Sequence, residues 1–259
     1  MDAGAATRLT VVPQNSVSRF DDRAADYVRC RPSYPAEAID HILDGLDPGR
    51  HLVAADVGAG TGISARLLGD RGVDVLAVEP GGAMRAAATA HPRVHWIAAL
   101  AEATGLGPGT VDLVLSAQSF HWFRPAETLR EFARILRPGG RLAIMWNRPS
   151  TTDPLTAGYG SAIADVGGDI GTARMAFDAD DVARSGEFTP AVRTVFANTQ
   201  RFDLEGLIGR ANSASYVPKS DEARTHLRSL LETLHARHTD AEGLVTMVYD
   251  TEVFLARRL

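Results

Sequence analysis

The run Val53-Ala54-Ala55-Asp56-Val57-Gly58-Ala59-Gly60-Thr61-Gly62, with Val73-Asp74-Val75-Leu76-Ala77-Val78-Glu79-Pro80 behind it, constrains the fold more than any other feature of the chain. Short apolar runs of this kind read as strands buried on both faces, and the stretch between them, 62 to 71, as a helix. Glycines allow positive φ and close approach of the backbone, and a carboxylate at the tip of the second strand can accept both hydroxyls of a ribose. The element is a nucleoside-binding βαβ unit. Its spacing, G-x-G-x-G, differs from the G-x-G-x-x-G of a dinucleotide site. Asp56, two residues before Gly58, would repel a pyrophosphate but suits an ammonium group.

The remaining pattern alternates strands and helices. Strands are expected near 52–57, 73–78, 93–98, 111–116 and 140–146, with helices near 62–71, 81–90 and 125–137. A helix is expected from 36 to 46, after a short helix in 20–35 broken by Pro32 and Pro35. Arg137-Pro138-Gly139-Gly140 reads as the turn that ends one helix and opens a strand. The pattern loosens between Asn147 and Glu187, then gives strands at Val192 to Phe202 and Leu244 to Leu255 with helices near 203–212 and 219–238.

With 259 residues, 45% of them hydrophobic, the chain can bury a full core as one α/β domain with a lid. A net charge of −5 lacks the basic excess of a protein that grips phosphates, so a small-molecule partner is expected rather than a nucleic acid. Cys30 is the only cysteine, which excludes a disulfide framework. No run approaches the roughly 20 apolar residues of a membrane span. Met1 to Thr10 lacks the apolar stretch of a signal peptide, so a cytoplasmic protein is expected. His235 and His238 share a helix face without a carboxylate at ligand spacing, and no metal site is expected.

The motif D-x-G-x-G-x-G, with Glu79 seventeen residues after Gly62, resembles the first motifs of class I S-adenosylmethionine-dependent methyltransferases. Ala101-Glu102 resembles the loop that the family sets against adenine, and Val111 to Ser116 its fourth strand. Gln118-Ser119-Phe120-His121-Trp122-Phe123, Leu136 to Leu142, and A-x-x-Y-x-x-x-R-P-x-Y-P from Ala24 to Pro35 are similar to the branch of trans-aconitate methyltransferase-like proteins. The resemblance implies a Rossmann-like, doubly wound sheet of seven strands in the order 3-2-1-4-5-7-6, the last antiparallel. It implies an N-terminal lid over 1–45, a cofactor core over 46–150, and C-terminal strands with lid helices over 151–259. In that family Asp56 would face the methionine ammonium, Gly58 and Gly60 would let the chain approach S-adenosylmethionine, and Glu79 would hold the ribose. Pro80 and Met84 would flank the adenine beside Ala101 and Glu102. Met84 has a packing role in the helix as its alternative. Tyr27 and Arg31 would lie near the methionine carboxylate, and Thr61, Ser116 and Gln118 complete the implied cofactor set.

Methyl transfer from a sulfonium asks mainly for alignment and exclusion of water. A carboxylate acceptor needs no base, whereas a phenol, hydroxyl or carbon acceptor calls for one, and His121, after the fourth strand, is the candidate, with Tyr27 beside it. The alternative for His121 is a hydrogen bond that orients its loop. Tyr34, Phe120, Trp122, Trp146 and Tyr216 are candidate walls of an apolar acceptor pocket, with core packing as the alternative, strongest for Trp146. No Asn or Asp followed by Pro-Pro-Tyr trails the fourth strand, and no cysteine pair exists for attack on a pyrimidine. O-methylation of a small molecule is the leading expectation, with C- or N-methylation open, by a monomer or homodimer. The rival readings are a catalytically silent S-adenosylmethionine-binding module and an NAD-dependent oxidoreductase. The second is disfavoured because Lys219, the only lysine, follows Ser215 at the spacing where a Tyr would be required.

Overall fold

The computed structural model describes residues 31–46, 49–167, 177–213, 217 and 220–259. Strands β1 (Val53–Val57), β2 (Asp74–Val78), β3 (Val94–Ile97), β4 (Val111–Ala117), β5 (Leu136–Pro149), β6 (Val192–Phe202) and β7 (Val245–Arg257) form one sheet in the order β3-β2-β1-β4-β5-β7-β6. The first five pair in parallel, with Asp56 opposite Ala77 on one side and Leu115 on the other. Strand β7 runs antiparallel to both β5 and β6. The expected order and the antiparallel last strand are both present.

Helices α1 (Ala36–Leu43) and α2 (Ile63–Gly69) cover one face of the sheet. Ile39, Ile42, Ala65 and Leu68 pack there on Ala54, Val75, Leu113 and Met145. Helix α3 (Gly82–Ala86) is shorter than the sequence suggests. Helix α4 (Pro125–Ile135) covers the other face with Leu129, Phe132, Ala133 and Ile135 against Val57, Val114, Leu142 and Ile144. Pro125 opens it, where a missing N–H costs nothing.

Two expectations are corrected. The chain leaves α4 straight into β5, and Arg137-Pro138-Gly139-Gly140 forms an irregularity within that strand. The pairing jumps from Val111 opposite Leu136 to Leu113 opposite Arg141, as a prolyl nitrogen cannot join the ladder and Gly139 has φ +70°. The region that looked irregular contains α5 (Pro154–Gly167) and α6 (Asp180–Arg184). Its glycines hide the helix from propensity. Leu155, Tyr159, Ala162 and Ile163 nevertheless bury against α7 (Leu204–Asn212) and α8 (Asp221–His238), and a Cβ at Gly158 would lie 2.7 Å from Leu234 Cδ1. Asp203 and Ser220 cap α7 and α8 by accepting the N–H groups of Gly206 and Ala223. With Phe202, Val245, Met247 and Tyr249 these three helices form a third apolar cluster beside the sheet.

Candidate active site

The carboxyl ends of β1, β2 and β4 meet where the strand order reverses, the position at which open α/β sheets bind ligands. Asp56 lies there on β1, fully buried, and its Oδ2 accepts a hydrogen bond of 2.7 Å from Ser64 Oγ on the first turn of α2. Its Oδ1 has no hydrogen-bond partner, and neither has Thr61 Oγ1, on a residue 1% exposed. Burial pushes the Asp56 carboxyl up to about 7, with the nearby Glu79 charge adding to the rise while Ser64 and the Ala65 N–H oppose it. Unsatisfied buried oxygens are costly, and these two belong to the end of β1 and to the glycine turn that follows it.

Glu79 ends β2 and spans the turn. Its Oε2 accepts the Gly60 N–H at 2.9 Å and its Oε1 the Gly81 N–H at 2.8 Å. Burial raises its pKa against the pull of these two donors. Each carboxylate oxygen keeps a second lone pair, so the group can still accept ribose hydroxyls. Arg85 Nη1 donates to the Glu79 carbonyl at 2.5 Å and fixes the start of α3. Pro80 is half-buried and Met84 buried beside it.

Gly58, Gly60 and Gly62 have φ of +72°, +57° and +75°. The space a side chain would need at Gly58 is filled by protein, since a Cβ there would lie 2.6 Å from Ser119 Cβ and 2.8 Å from Phe123 Cζ. A Cβ at Gly62 would meet Trp96 Cζ2 at 3.0 Å. The absence of a side chain at Gly58 admits the turn after β4. Ser119 Oγ secures that turn by donating to the Val57 carbonyl at 2.9 Å and pairing with the buried Ser116 Oγ at 2.8 Å.

Gln118, at φ +56°, is the one non-glycine residue with positive φ among those described. Its N–H donates to the Met145 carbonyl at 2.8 Å and its Nε2 to the Asn147 carbonyl at 3.3 Å. The short helix Phe120–Trp122 follows and carries His121, half-buried, with its ring 4.9 Å from that of Trp122. Ala101 is buried on the loop after β3, and Glu102 accepts the Arg124 N–H at 3.0 Å, which directs it to the start of α4.

Phe120 and Trp146 are corrected from pocket walls to core. Phe120 is 4% exposed and packs edge-on to Phe177 at 5.5 Å. Strand alternation turns Trp146, fully buried, toward α4, where Phe177 and Phe254 close on it at 4.8 and 5.9 Å. Tyr34 is half-buried against the α1 side of the sheet, and Arg31 Nη2 donates to the Ser213 carbonyl after α7 at 3.3 Å. Tyr27 and Tyr216 lie outside the described residues. Sequence reasoning missed Ser64, Ser119 and Asn147. Asn147 carried a signal, being the lone amide that closes the apolar run Leu142 to Trp146.

Residues 55–144 match the family model described as a methyltransferase domain. An uncharacterized methyltransferase of Mycobacterium tuberculosis is 35% identical over 231 residues, spanning 87% of this chain and 90% of the relative. Among solved structures, a methyltransferase assigned to an antibiotic biosynthesis pathway of Anabaena variabilis superimposes with a TM-score of 0.61 at 20% identity, covering 87% of this chain and 98% of that one. An N-methyltransferase of Haemonchus contortus in complex with S-adenosylhomocysteine shares the fold, with a TM-score of 0.54 at 17% identity over 94% of this chain and 58% of that one. Among the described residues no helix is long and apolar enough to cross a membrane.

Proposed function

The chain belongs to the class I methyltransferase family, and from that premise we propose that it binds S-adenosylmethionine at the carboxyl ends of β1, β2 and β4 and methylates a small molecule, on oxygen in the leading case. The observation that carries the proposal is the pair of buried, unpartnered oxygens, Asp56 Oδ1 and Thr61 Oγ1, beside a turn that Glu79 holds through Gly60. Such a site asks for a donor, and the ammonium of the methionine moiety is one. In this reading Asp56 receives the ammonium, Glu79 the ribose, and Pro80, Met84 and Ala101 line the base. The cofactor supplies an electrophilic methyl group for in-line displacement.

The protein's own work is alignment and exclusion of water. Ser119 and Phe123, on either side of His121, pack on Gly58, which supports reading the Gln118–Phe123 turn as the acceptor side of the cofactor turn. His121 is the residue placed to accept a proton from a hydroxyl or phenol acceptor. Trp122, whose ring lies 4.9 Å from that of His121, and Tyr34 would supply apolar surface to the acceptor. Residues 1–45, 46–150 and 151–259 would act as lid, cofactor core and acceptor-side support of one catalytic unit.

Titration of the protein with S-adenosylhomocysteine, with NAD as control, tests the proposal. Micromolar binding of the first and none of the second is expected. Binding of NAD, or of neither, would overturn it. Labelled methyl donor with panels of phenolic, hydroxyl and carboxylic acceptors then identifies the attacked atom.

A further inference from the structure

Asn147 ends the buried part of β5 and is 3% exposed. Its Nδ2 donates to the Ser33 carbonyl at 3.0 Å, and its Oδ1 accepts Thr251 Oγ1 at 2.5 Å and Asn198 Nδ2 at 3.2 Å. Asn198 Nδ2 also donates to the Ser33 carbonyl, at 2.9 Å, so two amides grip one oxygen. On its main-chain side, Asn147 accepts Gln118 Nε2. A buried amide is tolerated only when its polar atoms are satisfied, and an apolar residue would have closed this strand at less cost. The side chain is therefore retained for what it joins.

What it joins are two segments of the acceptor side. Pro32 and Pro35 bracket Ser33 and Tyr34 without backbone donors, so this stretch cannot pair as a strand. Among its attachments are the Ser33 carbonyl and Arg31. The turn after β4 has the opposite problem. It holds Gln118 in the left-handed region, a strained state kept only when its surroundings enforce it, and the enforcing contacts are the carbonyls of Met145 and Asn147.

We propose that Asn147 is a positioning residue that couples the segment Arg31–Pro35 to the turn Gln118–Phe123, so that the two are ordered together. Buried at 3% exposure, with its Oδ1 accepting two hydrogen bonds and its Nδ2 donating to Ser33, Asn147 acts through these segments rather than on the acceptor. Its relevance to catalysis rests on the reading of this side as the acceptor side, whereas the coupling does not.

Hydrogen–deuterium exchange of the ligand-free full chain tests the coupling. Asn198→Ala, at a partly exposed position, removes one of the two grips on Ser33 and one partner of Asn147. The expected result is exchange several-fold faster in peptides covering 36–40 and 118–123 together, with the thermal midpoint nearly unchanged. Asn147→Asp, which removes the donor to Ser33, is expected to enlarge both effects. If it fails to fold, Asn198→Ala decides alone. Faster exchange at 36–40 only, or at neither peptide, would overturn the proposal, because a merely local structural role leaves the distant turn unmoved. Titration of the wild type with S-adenosylhomocysteine reads the cofactor assignment independently, so failure of that assignment and failure of the coupling are told apart.

Discussion

Cofactor affinity is expected to depend on pH through Asp56. Its carboxyl titrates near 7 in the ligand-free protein because it is buried, and a cationic ammonium alongside favours the ionised form. Binding below that pH must then release a proton, and affinity rises with pH and levels off above about 7. For a group of pKa 7 that is fully ionised in the complex, the dissociation constant at pH 5.5 exceeds that at pH 8 by about 30-fold, or about 2 kcal/mol. Calorimetric titration with S-adenosylhomocysteine at several pH values, in buffers of different ionisation enthalpy, measures both the slope and the proton released. Glu79 is also raised by burial and contributes to the slope at the acid end, so the decisive comparison is with Asp56→Asn. That variant should bind more weakly and lose most of the slope between pH 8 and 6. A flat profile in the wild type, or an unchanged slope in the variant, would refute the assignment of Asp56 to the ammonium. The same group acts on stability with a definite sign. Its folded pKa lies above the ordinary value of 3.8, so its contribution is fully present below about pH 4 and is lost as pH rises to about 7, at most about 4 kcal/mol.

Gly58→Ala should destabilise by about 2 to 5 kcal/mol, from left-handed strain and from overlap with Ser119 and Phe123, lowering the thermal midpoint by about 4 to 20 °C. An unchanged midpoint would mean that the turn after β4 does not rest on Gly58. Glu79→Ala removes the proposed ribose acceptor and leaves the Gly60 and Gly81 N–H groups without their partner, so S-adenosylhomocysteine should bind weaker by about 1 to 3 kcal/mol. Equal affinity would dismiss the ribose role. Once an acceptor is in hand, His121→Ala should lower kcat with cofactor affinity within about twofold, and the reverse pattern would make it a residue of the cofactor site.

Legibility followed the range over which each signal acts. The βαβ unit and strand β6, found from Val192 to Phe202 as the sequence indicates, rest on local periodicity, which a single chain displays openly. Helix α5 was illegible because Gly158 and Gly160 lower its intrinsic propensity, and only packing against α8 makes it favourable. Phe120 and Trp146 were misplaced because aromatic character does not say which face of a sheet or turn a ring occupies, and Phe177, which seals both, lies far along the chain. The partners of Asp56 divided the same way. The motif named the carboxylate, but its Ser64 contact depends on how α2 sits over β1.

The glycine motif itself carries a further lesson about what such spacing encodes. Of its three glycines, Gly58 gives way to Ser119 and Phe123, and Gly62 to Trp96 on β3. Gly60 presents its N–H to Glu79. The loop is thus a joint among β1, β2, β3 and the turn after β4 before it is a cradle for any ligand. A substitution at Gly58 disturbs Ser119, and through the same turn His121, although neither is near Gly58 in sequence. The glycine turn and the turn after β4 therefore share one packing contact, and on the proposed reading changes at Ser119 or Phe123 should alter cofactor affinity as well.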